Sequence, residues 1–418
     1  MIRMILIQIW NERKTNAWLW AELLLVFVAL WVVVDWTYVN VSTWCKPLGF
    51  DIENTYLVEM DVLTAGSVGY RSDTETRSDG QDLLDVLDRL RRHPEVECVS
   101  YSLNSYPYCG GNSWQYFMPQ QDTIVFSRHV RQVSPDFFRV FRYENIDGSP
   151  SESLTNVHEW GKLIVSSNFW DARYPDGKDL LGQGFYISPD TTQLFTVAAV
   201  TNVVRYHDFD ANNRYAAIAN LSESVVATFS ENNVPMLHIC LRVKDGTKAG
   251  FAERMLQESP DYNVGNVYIK AIESFEGIRD NYLLDDMNAM KNRIFIMAFL
   301  LINIFLGVVG TFWYRTQQRR GELGLRMALG ASRRGLNAAL AGEGLLLLTL
   351  AAVPALLVCF NIGVADLLGA NQLPWGVSRF AVDSLLTFAL LAAMILGAIW
   401  YPAHQAMKIK PADALHDE

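Results

Sequence analysis

The sequence predicts an α-helical membrane protein with four transmembrane helices and an α+β extracytoplasmic domain between spans 1 and 2. Three observations carry that expectation. Four apolar runs are each about 20 residues or longer, enough to cross a hydrocarbon core of about 30 Å. A polar stretch of about 250 residues separates the first run from the second. An arginine-rich stretch follows the second run at once. The positive-inside rule puts it in the cytoplasm, and so puts the long polar stretch outside.

Charge is spread to match. The 418 residues carry a formal net charge of −10. Between Trp36 and Asn288 there are 35 acidic and 21 basic residues, a net of −14, so the mostly apolar remainder carries +4. An acidic soluble body on basic, hydrophobic ends suits a membrane protein with both ends in the cytoplasm. It argues against a nucleic-acid partner, which would need a basic stripe. Of the five cysteines, Cys45, Cys98, Cys109 and Cys240 fall in the middle stretch and Cys359 in an apolar run. No C-x-x-C or His/Cys cluster occurs, which argues against a zinc site. An oxidising periplasm would allow a bridge such as Cys98–Cys109. Four unpaired thiols fit the sequence equally, and it does not choose between them.

Residues 1–16 mix apolar side chains and Trp10 with Arg3, Arg13 and Lys14, the pattern of an amphipathic helix lying in the cytoplasmic interface. Residues 17–38 read as the first span, retained because the run is too long for a signal peptide and no small-x-small cleavage site follows. Trp18, Trp20, Trp36 and Tyr38 stand near its ends as an aromatic belt. Glu22 lies about one turn inside, either snorkelling to the interface or facing a partner helix. Asp35, near the outer end, is expected to be wet.

Residues 39–288 have the composition of a water-soluble domain. Strand-like patches at 55–62, 161–166, 195–204 and 236–243 are rich in β-branched and aromatic residues. Helical patterns occupy 80–92 and 247–258, and Ser134-Pro135 opens another. Strands mixed with helices indicate an α+β domain. No catalytic or metal-binding motif appears here. His207, Asp208 and Asp210 read as a solvated loop, and Asp285 and Asp286 as markers of the outer membrane surface.

The second span, 294–313, is uncharged and carries Gly307 and Gly310 at a spacing for close helix approach. Residues 315–334 form the cytoplasmic segment, with six arginines against Glu322. Glu322 and Arg326 stand four apart, in the favoured order along one helix face. Gly330 is placed to stop that helix and Ser332 to cap the next. A basic, amphipathic helix beneath the membrane follows. The third span, 336–362, contains Glu343 and a kinking Pro354. A short external loop, 365–382, leads to the fourth span, 384–401, and a cytoplasmic tail, 402–418.

The run Gly321-Glu-Leu-Gly-Leu-Arg-Met-Ala-Leu-Gly-Ala-Ser-Arg-Arg334, after a cluster of basic residues, resembles the signature of MacB/FtsX-type ABC transporter permeases. The closing pattern Tyr401-Pro-Ala, Ala406, Pro411-Ala-Asp-Ala-Leu415 is similar to the family's ending. Together the two motifs cover the C-terminal third. The resemblance implies that 315–334 is a coupling element resting on a separate ATPase subunit, with Arg319, Arg320, Glu322, Leu325, Arg326, Leu329 and Gly330 as its contact residues. It implies two subdomains in the outer domain and a second permease, as a homodimer or heterodimer. Membrane lipid surrounds the spans, and an adaptor with an outer-membrane channel is a further expected partner.

No G-x-x-x-x-G-K-[ST] phosphate loop or Rossmann fingerprint occurs. The expectation is therefore a non-catalytic subunit without cofactor or metal, with ATP-Mg held by the partner ATPase, in a bacterial inner membrane. Its work would be export of a hydrophobic or amphipathic substrate: an antibiotic, a peptide or a lipid-like molecule. Control of a cell-wall hydrolase, lipoprotein extraction and ligand sensing are the alternatives.

Overall fold

The computed structural model describes residues 13–72, 77–111, 113–209, 212–218, 221–318, 321, 325–326, 329–365, 367 and 373–406. The chain forms two compact units, an outer one, Lys46–Met287, and a membrane one from the segments on either side of it. The first element, α1 (Arg13–Trp44), is a continuous helix of 32 residues. At 1.5 Å per residue it is about 48 Å long, more than one hydrocarbon thickness.

The outer unit begins with a strand–helix–strand: β1 (Thr55–Val62), α2 (Asp79–Arg91) and β2 (Val96–Leu103). Helix α2 starts at a capping box, in which Ser78 accepts from the Gln81 amide and the Gln81 side chain reaches back to Ser78. Its apolar spacing buries Leu83, Val86, Leu87 and Leu90 completely. A long excursion follows through β3 (Trp114–Pro119), β4 (Phe126–Val133), α3 (Phe137–Val140), α4 (Ser151–Thr155) and β5 (Lys162–Ser166). It continues through β6 (Gly184–Ser188), β7 (Leu194–Thr201), the small pair β8 (Val204–Arg205) and β9 (Asn212–Asn213), β10 (Tyr215–Ile218) and α5 (Glu223–Val226). The chain then returns with β11 (Leu237–Val243), α6 (Phe251–Tyr262), β12 (Val267–Ser274) and α7 (Phe275–Tyr282).

Strand order along the large sheet is β10-β5-β7-β6-β3-β4-β2-β11-β1-β12, and β10 also pairs with β4. That extra pairing closes six strands into a ring, whose interior holds Phe117, Val130, Leu163, Val165 and Phe185. The remaining four strands, β2-β11-β1-β12, are all antiparallel. With α2 and α6 on one face they make a split βαβ, ferredoxin-like layer. The outer unit is therefore a βαββαβ frame with a closed barrel inserted between its second and third strands. This supplies the two subdomains that the resemblance implied.

Buried charge ties the pieces together. Arg242 on β11 is fully buried and donates to the carbonyls of Val140 (2.6 Å), Glu53 (2.8 Å) and Asp51 (2.9 Å). The segment around His207 is not simply a solvated loop. Asp208 is only 4% exposed and accepts from Tyr108 Oη (3.0 Å) and from the guanidinium of Arg279 on α7. A paired, hydrogen-bonded carboxylate can stay charged while buried, and here a cation from a later helix supplies the pair. Asp210 lies outside the described residues. All five cysteines are unpaired, so Cys98 and Cys109 form no bridge.

The chain then enters α8 (Leu284–Gln318), α9 (Arg333–Val364) and α10 (Val377–Ala406). Helices α1, α9 and α10 share a core in which Phe27, Leu30 and Trp31 meet Leu348, Ala351, Ala355, Leu391 and Ile395. Gly344 allows the close crossing: a Cβ there would lie 2.8 Å from Ile395. Helix α8 joins that core through Val308 and Phe312, while Phe295, Phe299 and Leu306 remain exposed. Among the described residues nothing lies within 4 Å of a Cβ at Gly310, whereas one at Gly307 would meet Glu22 Oε1 of α1 at 4.0 Å.

Two histidines of the outer unit make its stability sensitive to acid. Burial holds His158 down to about 4, and burial, then the nearby Arg131 cation, holds His129 down to about 3. Both are neutral when folded but take up a proton near 6.5 once unfolded. Their contribution is complete above pH 6.5 and declines as pH falls towards the folded values. The melting temperature should drop between pH 6.5 and 4.5, and His129→Gln should shrink that drop relative to the parent chain.

Candidate functional site

The segment after α8 carries the predicted contact residues. Leu325 and Arg326 are helical, and the Leu329 amide donates to the Leu325 carbonyl at 3.0 Å. Gly330 then adopts φ +95°, and the Ala331 amide reaches back to the Arg326 carbonyl at 2.9 Å. This is a left-handed helix stop, a conformation that glycine takes without penalty. Ser332 caps α9 by accepting from the Gly335 amide at 3.1 Å. The two predicted punctuation residues therefore do what their chemistry suggests. Leu325 is 50% and Leu329 81% exposed, and Arg326 is exposed beside them. Four residues apart, the two leucines line one helix face as an apolar ridge with a cation at its side. Arg319, Arg320 and Glu322 lie outside the described residues.

Two polar clasps tie helix α1 to two others of the membrane unit, α8 and α10. Glu22 on α1 accepts from Thr311 of α8, at 3.1 and 3.3 Å to its two oxygens, and so faces a partner helix. Asp35, 13 residues further along α1, is 1% exposed and not wet. Arg379 of α10 grips it with two parallel hydrogen bonds of 2.8 Å each. Bidentate geometry of this kind is the strongest form of the pair. Arg379 also donates to the Leu373 carbonyl at 2.7 Å and lies 5.7 Å from the Trp375 ring. Trp375 in turn sits on Gly363, where a Cβ would come within 2.1 Å of it. One turn on, Asp383 is completely buried against Asp35. Among the described residues no donor reaches either of its oxygens.

This second clasp was not anticipated, because Arg379 fell in a stretch read as an external loop, 365–382, and Asp383 between that loop and the uncharged span from 384. Helix α10 begins at Val377 and takes both into its first two turns. The available signal was one cation and two carboxylates near the outer ends of two apolar runs. Such charges are costly in a membrane unless they pair.

Four long apolar helices, a mixed α/β domain between the first and second, and a ridge-and-stop turn between the second and third make up the architecture. Residues 294–411 match the family of the FtsX-like permease C-terminal domain. The macrolide export ATP-binding/permease protein MacB 1 of Yersinia pestis bv. Antiqua is 22% identical over 349 residues, spanning 80% of this chain and 48% of that protein. The pyoverdine export ATP-binding/permease protein PvdT of Pseudomonas putida is 22% identical over 354 residues, or 81% of this chain and 49% of that one. An uncharacterized ABC transporter permease of Bacillus subtilis, YvrN, is 32% identical over 124 residues, 29% of each chain. The chain spans about half the length of the MacB and PvdT relatives it matches. The FtsX-like match is thus confined to the C-terminal part of the chain, and the likeness to the MacB and PvdT proteins runs along most of its length.

Removing Arg379 would leave Asp35 and Asp383 buried together without a counter-charge. Arg379→Ala should cost about 3–5 kcal/mol, the usual penalty for breaking a buried pair from one side. Adding Asp35→Asn and Asp383→Asn should recover much of that loss. Thermal unfolding in detergent, with the three chains side by side, checks both expectations.

Proposed function

We propose that this chain is the transmission subunit of an ABC transporter, driven by a separate ATPase that docks on the ridge between α8 and α9. The exposed Leu325–Leu329 ridge, ended by Gly330 and flanked by Arg326, is the observation that carries this reading. An apolar ridge beside a cation suits a partner groove with a carboxylate at its edge. The contact set would comprise Arg319, Arg320, Glu322, Leu325, Arg326, Leu329 and Gly330. ATP and Mg2+ would bind the ATPase, and this chain would contribute no catalytic group.

Closure of the ATPase would push on the ridge, and the clasped helices would carry the push across the bilayer to the outer unit. The exposed apolar face of α8 supports a second permease copy or a related chain beside it, within the lipid. Both termini would be cytoplasmic, in a bacterial inner membrane, with the outer unit in the periplasm. The cargo would be a hydrophobic or amphipathic molecule taken up on the periplasmic side and passed to an adaptor and outer-membrane channel.

Charge reversal tests the docking directly. Arg326→Glu, and separately Leu329→Asp, should lower recovery of the co-purifying ATPase at least tenfold, equivalent to about 1.4 kcal/mol or more. The isolated permease should melt as before. Undiminished ATPase recovery with both variants would remove the ridge from the interface.

A further inference from the structure

The outer unit holds a cleft of about 640 Å³ that none of the preceding roles uses. Its walls come from β2 (Tyr101), α5 (Glu223 and Val225), the turn after β4 (Asp136) and the loop before β5 (His158 to Trp160). That volume lies within the range of small-molecule sites. Its chemistry is one-sided. Three carboxylates line it, and the one cation, Arg91, is already shared between Glu223 (3.2 Å) and Asp88 (3.0 Å). Asp136 is engaged by Arg139 at 3.2 Å. Glu159 is exposed and has no ion-pair partner among the described residues.

His158 provides a second, independent observation. It is 2% exposed, and its Nε2 stands 3.2 Å from the Val133 carbonyl. Because that carbonyl accepts, Nε2 carries the hydrogen and Nδ1 presents a lone pair. No donor meets Nδ1. Burial keeps this imidazole neutral, so it remains an acceptor at physiological pH. An unmet buried acceptor in a wall already rich in carboxylates calls for a ligand that donates hydrogen bonds and carries positive charge. Trp160 adds an apolar surface, 64% exposed at the rim. An aromatic face beside the free Glu159 carboxylate suits an ammonium group attached to an apolar body.

We infer that this cleft binds a small cationic amphiphile, its ammonium group held by Glu159 and Glu223 and its apolar body packed on Trp160 and Val225. The inference rests on the transport reading only for the ligand's purpose, since cleft and ridge lie in different units. It narrows the amphipathic cargo to molecules bearing an amine. A neutral molecule of the same shape would leave Glu159 without a partner and strip some of its water, so discrimination by charge follows.

The test uses the full chain in phosphatidylcholine nanodiscs, titrated calorimetrically with 1-naphthylmethylamine, with empty nanodiscs subtracted. 1-Naphthalenemethanol is the uncharged counterpart. Saturable binding of the amine is expected, with the alcohol at least about tenfold weaker. Glu159→Gln and Trp160→Ala should each weaken the amine by about fivefold or more, while melting at the wild-type temperature. No saturable amine binding, equal binding of the alcohol, or unchanged affinity in both variants would overturn the inference. Arg326→Glu should leave the titration unaltered, so loss of ATPase docking and loss of cleft binding are read separately.

Discussion

The membrane unit depends on one buried guanidinium. Among the described residues Arg379 is the counter-charge to Asp35 and Asp383 in an apolar bundle, and it joins the first helix to the last. Desolvating three ionisable groups is expensive, and only good geometry with satisfied donors offsets it. The geometry is good: two parallel bonds to Asp35, a third to the Leu373 carbonyl and a tryptophan face beside it. Hydrophobic packing alone would leave α1 and α10 free to slide or rotate against each other, because dispersion contacts between apolar helices are tolerant of register. A bidentate ion pair is not tolerant. It sets one register, which a rigid lever needs.

The second clasp lies closer to the ridge. Glu22 and Asp35 are 13 residues apart on the same helix, or about 20 Å along its axis. One ties α1 to α8 through Thr311, and the other ties α1 to α10. Helix α1 therefore acts as a spine with attachments at two depths. Helix α9 packs along it through small residues, Ala351 and Ala355, which let the backbones approach closely. Under the proposed docking, motion delivered at Leu325 and Leu329 would reach α8 and α9 at their adjoining ends. The clasps would convert it into movement of the bundle rather than of a single helix.

The four spans were legible because each is a long apolar run, a signal that needs no tertiary information. Strand β1 was legible to the residue, because Thr55–Val62 is rich in β-branched and aromatic residues. Gly330 and Ser332 were legible because helix stops and caps are local chemistry. The barrel was not. Strands β3 and β6 are short, β4 is polar and mixed, and their pairings follow from contacts distant in sequence. Strand β4, for example, meets β10 with His129 opposite Tyr215. The cleft was hidden for the same reason, since Tyr101, His158 and Glu223 come from three separate stretches. Asp208 looked wet because its partner, Arg279, arrives from a later helix. Arg379 was the costliest oversight: a charge near the end of an apolar run looked like a loop residue until its partner on α1 was in view.

The central claim is that nucleotide on a partner moves the outer unit through this bundle. The most direct test is a spin-label distance between paired permeases in the assembled complex. Labels on Leu181→Cys in the outer unit, with Cys45→Ser to remove the exposed native thiol, would be measured nucleotide-free and with ATP trapped on a hydrolysis-blocked ATPase. The account predicts two distinct distance distributions, merging into one when Arg379→Ala breaks the clasp. Superimposable distributions, with the ATPase bound and ATP loaded, would contradict it.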